Sequence, residues 1–403
     1  MNVPKLRFKE FNDEWQSINL ADIFQYFGTN SFSREQLSES GILKNLHYGD
    51  IHKKYNSIVN ENDEITSYVK DINYVNKYEL LKNNDLIFAD ASEDYEGIGK
   101  AVEVVNVNNN TISGLHTILA RDNLNVFAPM FKGYYFNSPI VHNQIRVLAN
   151  GFKVYGISKD SINKLNIKVP SINEQSKIAN TLYLLDKKIE LQSKKIEDLK
   201  LFKKGLLILK FSNKVKNIKL EEIIKKGKAG GTPKSTVQKY YDGTIPFLSI
   251  SDISSQNKYI KYTEKCISEE GLKNSSTWLV PKNSIILSMY ASYGLPCINK
   301  IELATSQAMY SMIFKDDIDV EFIYYYLYYL QQINYYDRLV STGTQSNLNA
   351  EKVNKIKIYC PNYDIQKNIS KLFVSCDRKI LLEENKLLKL QELKKGLMQS
   401  MFV

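Results

Sequence analysis

Four short stretches carry side chains suited to gripping a polyanion. HYGDIHKKY (47–55) sets two histidines, two lysines and two tyrosines around a glycine. GKAGGTPKST (227–236) is glycine-rich, basic and rich in hydroxyls, and STGTQSNLN (341–349) offers hydroxyls and amides. NGFKVYGIS (150–158) occupies the corresponding place in the first half of the chain. Lysine and arginine neutralise phosphate, tyrosine stacks and hydrogen-bonds, and Asn or Gln meets adenine through two hydrogen bonds at once. The candidate contacts are Arg34, Tyr48, His52, Lys53, Lys54, Tyr55, Lys153, Tyr155, Lys228, Thr232, Lys234, Thr342, Thr344, Gln345 and Asn347.

Catalytic patterns do not accompany them. There is no GxxxxGK[ST], and GIGK (97–100) has neither the spacing nor the hydroxyl of a phosphate loop. No GxGxxG follows a strand, HExxH and GxSxG are absent, and no Pro-Pro dipeptide offers the loop of an amino-methyltransferase. ADASEDYEG (89–97) reads as an acidic loop rather than a metal cradle. The four cysteines lack ligand spacing, so no metal site is expected, and His47, His52, His116 and His142 are read as structural rather than catalytic.

The elements that must position these loops follow from length and charge. A chain of 403 residues exceeds one ordinary core, so more than one domain is expected, and 43% hydrophobic content excludes wholesale disorder. A net charge of +10 favours a polyanionic partner. The opening residues lack a signal-peptide profile and FIYYYLYYL (322–330) is too short to span a bilayer, so a soluble cytoplasmic protein is expected.

Sliding the chain on itself by 191 positions exposes a repeat. Pro170 falls on Pro361, Gln175 on Gln366, Asp186 on Asp377, Lys203-Lys204-Gly205-Leu206 on Lys394-Lys395-Gly396-Leu397, and Phe211 on Phe402, without a gap. Upstream, INKLNIKVP (162–170) matches VNKIKIYCP (353–361), each an alternating strand leading to a proline. INLADI (18–23) also resembles IKLEEI (218–223). After each proline, apolar residues recur at spacings of three and four, predicting two helices of ~37 residues, roughly 55 Å long. Neither buries such a stripe alone, but two copies bury each other. If they pack antiparallel with ends aligned, Glu383 lies near Lys188 and fixes the register, and the two KKG sequences mark the helix C-termini.

The resulting fold class is α+β. It comprises two mixed α/β globules in pseudo-two-fold arrangement, separated by two long antiparallel coiled-coil helices. The boundaries are 1–165, 166–212, 213–357 and 358–403. Within the second globule, the tyrosines of 322–330 are expected to pack in its core.

VPKLRFKEFNDEWQSINLADIF (3–24), KLNIKVPSINEQSKIANTLYLLDKKIE (164–190), GGTPKSTVQKYYDGTIPFLSISDI (230–253) and LKKGLMQSMF (393–402) together resemble the specificity subunit of type I restriction–modification systems. The resemblance spans essentially the whole chain. It implies a non-catalytic subunit that recognises double-stranded DNA, each globule reading one half of a bipartite, asymmetric target. The helices would act as a ruler and dock two methyltransferase (modification) subunits, with Gln175, Lys188, Lys203, Gln366, Lys379 and Lys394 on the docking helices; restriction/translocase subunits would complete the assembly. S-adenosylmethionine, ATP and Mg would belong to those partners, with no cofactor on this chain. One departure stands out: the glutamate of NEQ (173–175) becomes Ile365 in the second copy. The competing classes are a fused modification enzyme, against which the missing loops argue, and a free-standing DNA-binding regulator or architectural protein.

Overall fold

The alternating runs before the two prolines become the closing strands of two globules. In the computed structural model, which describes residues 3–61, 65, 67–70, 78–108, 110–290, 292–340 and 348–403, Ile167–Val169 pairs antiparallel with Gln16–Ile18. Lys357–Ile358 pairs in the same way with Ile218–Lys219. Each globule is thus tied shut by its own two ends.

The central sheet of the first globule contains β1 (Phe24–Phe27), β2 (Ile58–Asn60), β3 (Leu86–Ala89), β4 (Ala101–Val105) and β5 (Thr117–Asp122), in the order β1-β5-β3-β4-β2. The second contains β6 (Ile224–Ala229), β7 (Tyr259–Ile260), β8 (Ile285–Ser288), β9 (Pro296–Asn299) and β10 (Met309–Phe314), in the order β6-β10-β8-β9-β7. Three junctions in each sheet are antiparallel, and the last, β4–β2 or β9–β7, is parallel. The two sheets are one topology written twice. β3 and β8 are buried on both faces, which is why LIFA and IILS read as unbroken apolar runs.

Short helices α1 (Tyr48–Lys53) and α2 (Phe131–Phe136) belong to the first globule; α4 (Ile250–Gln256) and α5 (Val320–Gln332) take the matching places in the second. Tyr324, Tyr325, Tyr326 and Tyr329 of α5 are buried in the core, as their helical spacing predicts. The long helices are α3 (Ile172–Phe211) and α6 (Tyr363–Ser400). No helix among the described residues is long and apolar enough to cross a membrane.

The chain divides into two compact units, 1–194 with 385–403, and 195–384. The division cuts both long helices in mid-course, each half-helix packing with one globule. Inside the first unit Lys394 pairs with Asp186 at 2.5 Å, and Phe402 enters the core beside Phe131 and Tyr135. Inside the second, Lys195 pairs with Glu383 at 3.1 Å, Lys203 with Asp377 at 2.5 Å, and Phe211 stacks on Phe373 at 5.9 Å. Numbers rise along one helix as they fall along the other, so the segments in each unit run antiparallel.

The register differs from the end-aligned expectation. Glu383 meets Lys195 rather than Lys188, seven positions further along α3, and also takes Lys379 at 3.3 Å. The half-buried lysine–aspartate pairs set the stagger instead of the helix ends. Glu383 is 1% exposed, so it lies inside the seam. The KKG sequences do not end the helices. Both helices continue past Gly205 and Gly396, beside which a Cβ would meet nothing within 4 Å.

Candidate nucleic-acid interface

Each globule joins its sheet to its long helix through the same set of contacts. In the first, Gln175 accepts the Ala128 N–H at 2.9 Å and donates to the Val126 and Pro170 carbonyls. In the second, Gln366 accepts the Asp319 N–H at 2.9 Å and donates to the Pro361 carbonyl. Tyr134 donates to Asp186, and Tyr325 donates to Asp377. Burial, reinforced by the aspartate, raises both phenols. Lys394 lies 5.9 Å from the Tyr134 ring centroid and Lys203 lies 5.6 Å from that of Tyr325. Every pair is displaced by 191 positions. The loops are therefore carried on two mounts of identical chemistry.

This geometry corrects two of the docking assignments. Gln175 and Gln366 are each 1% exposed and their hydrogen bonds are spent on the globule, so neither offers a surface to a partner. Lys203 and Lys394 are half-buried in the aspartate–tyrosine mounts, while Lys188 and Lys379 stand exposed on the helices. The Ile365 departure also has a structural counterpart. Glu174 is held bidentately by Arg7 of the N-terminal segment, and Ile365 is 42% exposed.

At the loop end of the first globule, Asn30 donates to Asn45 and to the Ser113 carbonyl, tying three segments together. Tyr48 begins α1, and its ring is met by those of His47 at 4.7 Å, His116 at 5.2 Å and His52 at 6.1 Å. His47 caps the helix by accepting the Gly49 N–H through Nδ1. Burial, with Arg34 nearby, pushes its pKa down to about 4, so it is neutral at physiological pH. His52 is fixed by the Ala91 carbonyl, and Asp90 faces His116 Nδ1 at 3.3 Å. Burial raises the Asp90 carboxyl, with His116 working against the shift.

Arg34 grips Asp50 with two hydrogen bonds and Lys54 reaches the same carboxylate at 3.2 Å. Burial favours protonation of Asp50, but the Arg34 hydrogen bonds and the two cations outweigh it and hold the pKa below the usual value. Lys53 and Lys153 are exposed, and Tyr155 packs edge-on against Tyr95 at 5.0 Å. Tyr55 is a correction: at 4% exposure it sits in the core just past the end of α1, in the apolar cluster that also holds Ile51.

In the second globule, exposed Lys225, Lys226 and Lys228 follow one another on edge strand β6, and Lys226 lies over the Trp278 ring at 4.3 Å. Such a strand resists edge pairing and lays down positive charge. Thr232 donates to Gln307 at 2.5 Å, and Lys234 is exposed beyond the turn. Thr342, Thr344, Gln345 and Asn347 lie outside the described residues. Sequence reasoning missed Gln307, Trp278, Asp90 and His116 as members of these clusters. Only the strand order shows that residues just before β5 and β10 reach the same place in their two globules.

The model of the type I restriction modification DNA specificity domain matches residues 12–201 and again 212–392. The chain belongs to this family. The specificity subunit MjaIX of Methanocaldococcus jannaschii is 29% identical over 143 residues, 35% of this chain and 33% of that protein. The chain thus spans about a third of that relative. A putative specificity subunit, MjaX, from the same organism is 23% identical and aligns over 98% of this chain and 95% of its own. The crystal structure of a type I S subunit from M. genitalium has the same fold, with TM-score 0.57, 17% identity, and 100% and 99% of the two chains covered. The repeat read from the sequence is thus this specificity domain present twice.

Proposed function

We propose that this chain recognises a bipartite, asymmetric target on double-stranded DNA for a type I restriction–modification complex, in the cytoplasm, and contributes no catalytic group of its own. One observation carries the reading: a single five-stranded scaffold and a single helix mount occur twice, displaced by 191 positions at the mounts, with different loops on each copy. Two like scaffolds with unlike loops suit two unlike half-sites. The long helices hold the spacing and supply apolar side chains to partners. Leu191 and Leu382, at equivalent positions, are 67% and 50% exposed; Phe202 and Leu393 are 58% and 52% exposed. Two modification subunits, each bringing S-adenosylmethionine, would cover such side chains, and restriction subunits would bring ATP and Mg.

Methylated adenines mapped in the genomic DNA of a host carrying the complete system test this directly. Exchange of residues 15–165 for another recognition globule should change one half of the methylated motif and leave the other intact. A change in both halves, or a motif that persists without this chain, refutes the reading.

A further inference from the structure

The loop that enters β5 in the first globule and β10 in the second is the same element of the scaffold. Its preceding short strand runs parallel to the strand before α1 or α4, with Ser113 opposite Leu46 and Thr305 opposite Leu248. Backbone hydrogen bonds clamp it equivalently, from Asn30 N–H to the Ser113 carbonyl and from Gly231 N–H to the Thr305 carbonyl. Between scaffolds that agree this closely, the exposed groups on this loop differ completely.

In the second globule the loop is built for rigidity. A Cβ on Gly230 would stand 2.0 Å from the Thr305 carbonyl oxygen, and one on Gly231 would stand 2.0 Å from Ser276 Oγ. Both positions are therefore closed to any larger residue, and the turn lies flat on the loop. Tyr241 donates to the Pro233 carbonyl at 2.6 Å, Thr277 donates to the Thr305 carbonyl at 2.8 Å, and the Ala308 N–H is taken by Ser306 Oγ. On this clamped base Gln307 is exposed, and its Oε1 accepts the Thr232 hydroxyl. An exposed glutamine normally wanders among rotamers. This one is oriented before any ligand arrives, which spares the ordering cost of binding.

In the first globule the loop presents His116 instead, in left-handed backbone conformation (φ 53°). Asp90 stands at its Nδ1 and Tyr48 against its ring, and about half of the side chain stays exposed.

We infer that this loop reads base edges in each half-site, with Gln307 selecting an adenine in the major groove of the half-site read by the second globule and His116 contacting a base in the other. The inference rests on the two-reader function proposed above and adds the residues that set specificity. An amide places an acceptor and a donor at the spacing of adenine N6 and N7, and only the major groove displays both. Thr232 occupies one lone pair of Oε1 and leaves the second for N6–H. Thr232 is thus a positioning residue. Lys228 and Lys234 flank the loop on the exposed face, where phosphates would lie.

The test is the methylated-adenine motif in genomic DNA from hosts expressing the complete system with the wild-type chain, Gln307→Ala, Gln307→Glu, Thr232→Val or His116→Ala. Gln307→Ala should lose its preference for adenine at one position of one half-site by roughly 10- to 100-fold. Gln307→Glu, which accepts but cannot donate, should move that preference toward cytosine. Thr232→Val should weaken discrimination at that same position several-fold without changing the favoured base. His116→Ala should relax a position in the other half-site only. A wild-type motif in Gln307→Ala, effects of Gln307 and His116 in the same half-site, or methylation lost altogether by a variant whose melting curve matches the wild type would overturn the inference. If the wild-type system itself yields no bipartite motif, the two-reader function fails instead, and the two failures are distinct.

Discussion

In the first globule, Glu103 on β4 faces Lys132 on α2 at 3.3 Å in a core that leaves them 0% and 1% exposed, whereas the matching positions of the second globule hold Ile298 and Ile323, both fully buried. The reason lies at the start of the helix. Glu103 accepts the N–H groups of Met130 at 2.8 Å and Gly133 at 2.9 Å, capping α2 from a neighbouring strand. In the second globule Asp319 caps α5 locally by accepting the Phe322 N–H at 2.7 Å. The residue equivalent to Asp319 is Ala128, which has no side chain for that task. A cap brought from the strand puts a carboxylate in the core, where burial raises its pKa, and Lys132 counters that shift.

The margins differ in the opposite sense. Gly133, where a Cβ would lie 2.3 Å from the Ser57 carbonyl oxygen, gives way to Tyr324, and Ser57 gives way to Lys258. Lys258 lies 4.1–5.0 Å from the rings of Tyr325, Tyr259 and Tyr324 and is paired with Glu321 at 2.5 Å. Burial lowers its pKa and Glu321 resists the change. One scaffold thus tolerates a charge in its centre or at its rim. Strand order and helix mount define the fold, and the remaining core positions adjust to wherever the cap happens to be.

The largest effect expected from this comparison belongs to Glu103. Glu103→Leu strands a buried lysine and two N–H groups and should destabilise the first unit by about 3–5 kcal/mol in denaturant titration. Replacing Glu103 and Lys132 by isoleucine together should recover part of the loss. Adding Ala128→Asp, which transplants the second globule's cap, should recover most of the remainder. A triple variant no better than the single one breaks the equivalence drawn between the two helices.

His47 gives the next effect. Its folded pKa of about 4 lies below the ordinary 6.5, so between those values the unfolded chain binds more protons than the folded one. Stability of the first unit should therefore rise with pH from about 4 to 6.5, by up to about 3 kcal/mol, and stay level above. His47→Ser installs Ser249, the residue that caps α4, and should flatten the slope. A slope that survives in that variant places its origin elsewhere.

The smallest effect should be the same in both copies. Gly205→Ala and Gly396→Ala fill open space within regular helix and should each raise stability by about 0.5–1 kcal/mol in thermal melts. A clear difference between the two would show that one glycine serves a purpose the other does not.

The parts legible in the sequence are those where one residue type does one job in both copies. Gln175 and Gln366, Asp186 and Asp377, and Phe211 and Phe402 announce the repeat because each pair makes equivalent contacts in its own globule. The sheets were less visible. Their strands are two to six residues long, and pairs such as Ser57 and Lys258 share a place in the fold but no chemistry. The roles of the two glutamines were hidden for a different reason, since their partners are backbone groups some fifty residues away, which no side-chain pattern discloses. The burial of Tyr55 was hidden too, because it lies two residues past the end of α1, where helical spacing no longer applies. So was the stagger of the helices, since apolar heptads alone permit several alignments.

The first unit closes its core with Met401 and Phe402, from a segment made roughly 200 residues after its own strands. At ribosomal rates of ~5–20 residues per second that is a wait on the order of ten to forty seconds. The second unit draws only on residues 195–384 and has everything it needs before the first is complete. During synthesis, then, the half of the protein that emerges first is the half that finishes last. Until Phe402 arrives, just beyond α6, Phe131 and Tyr135 stand without the ring that covers them.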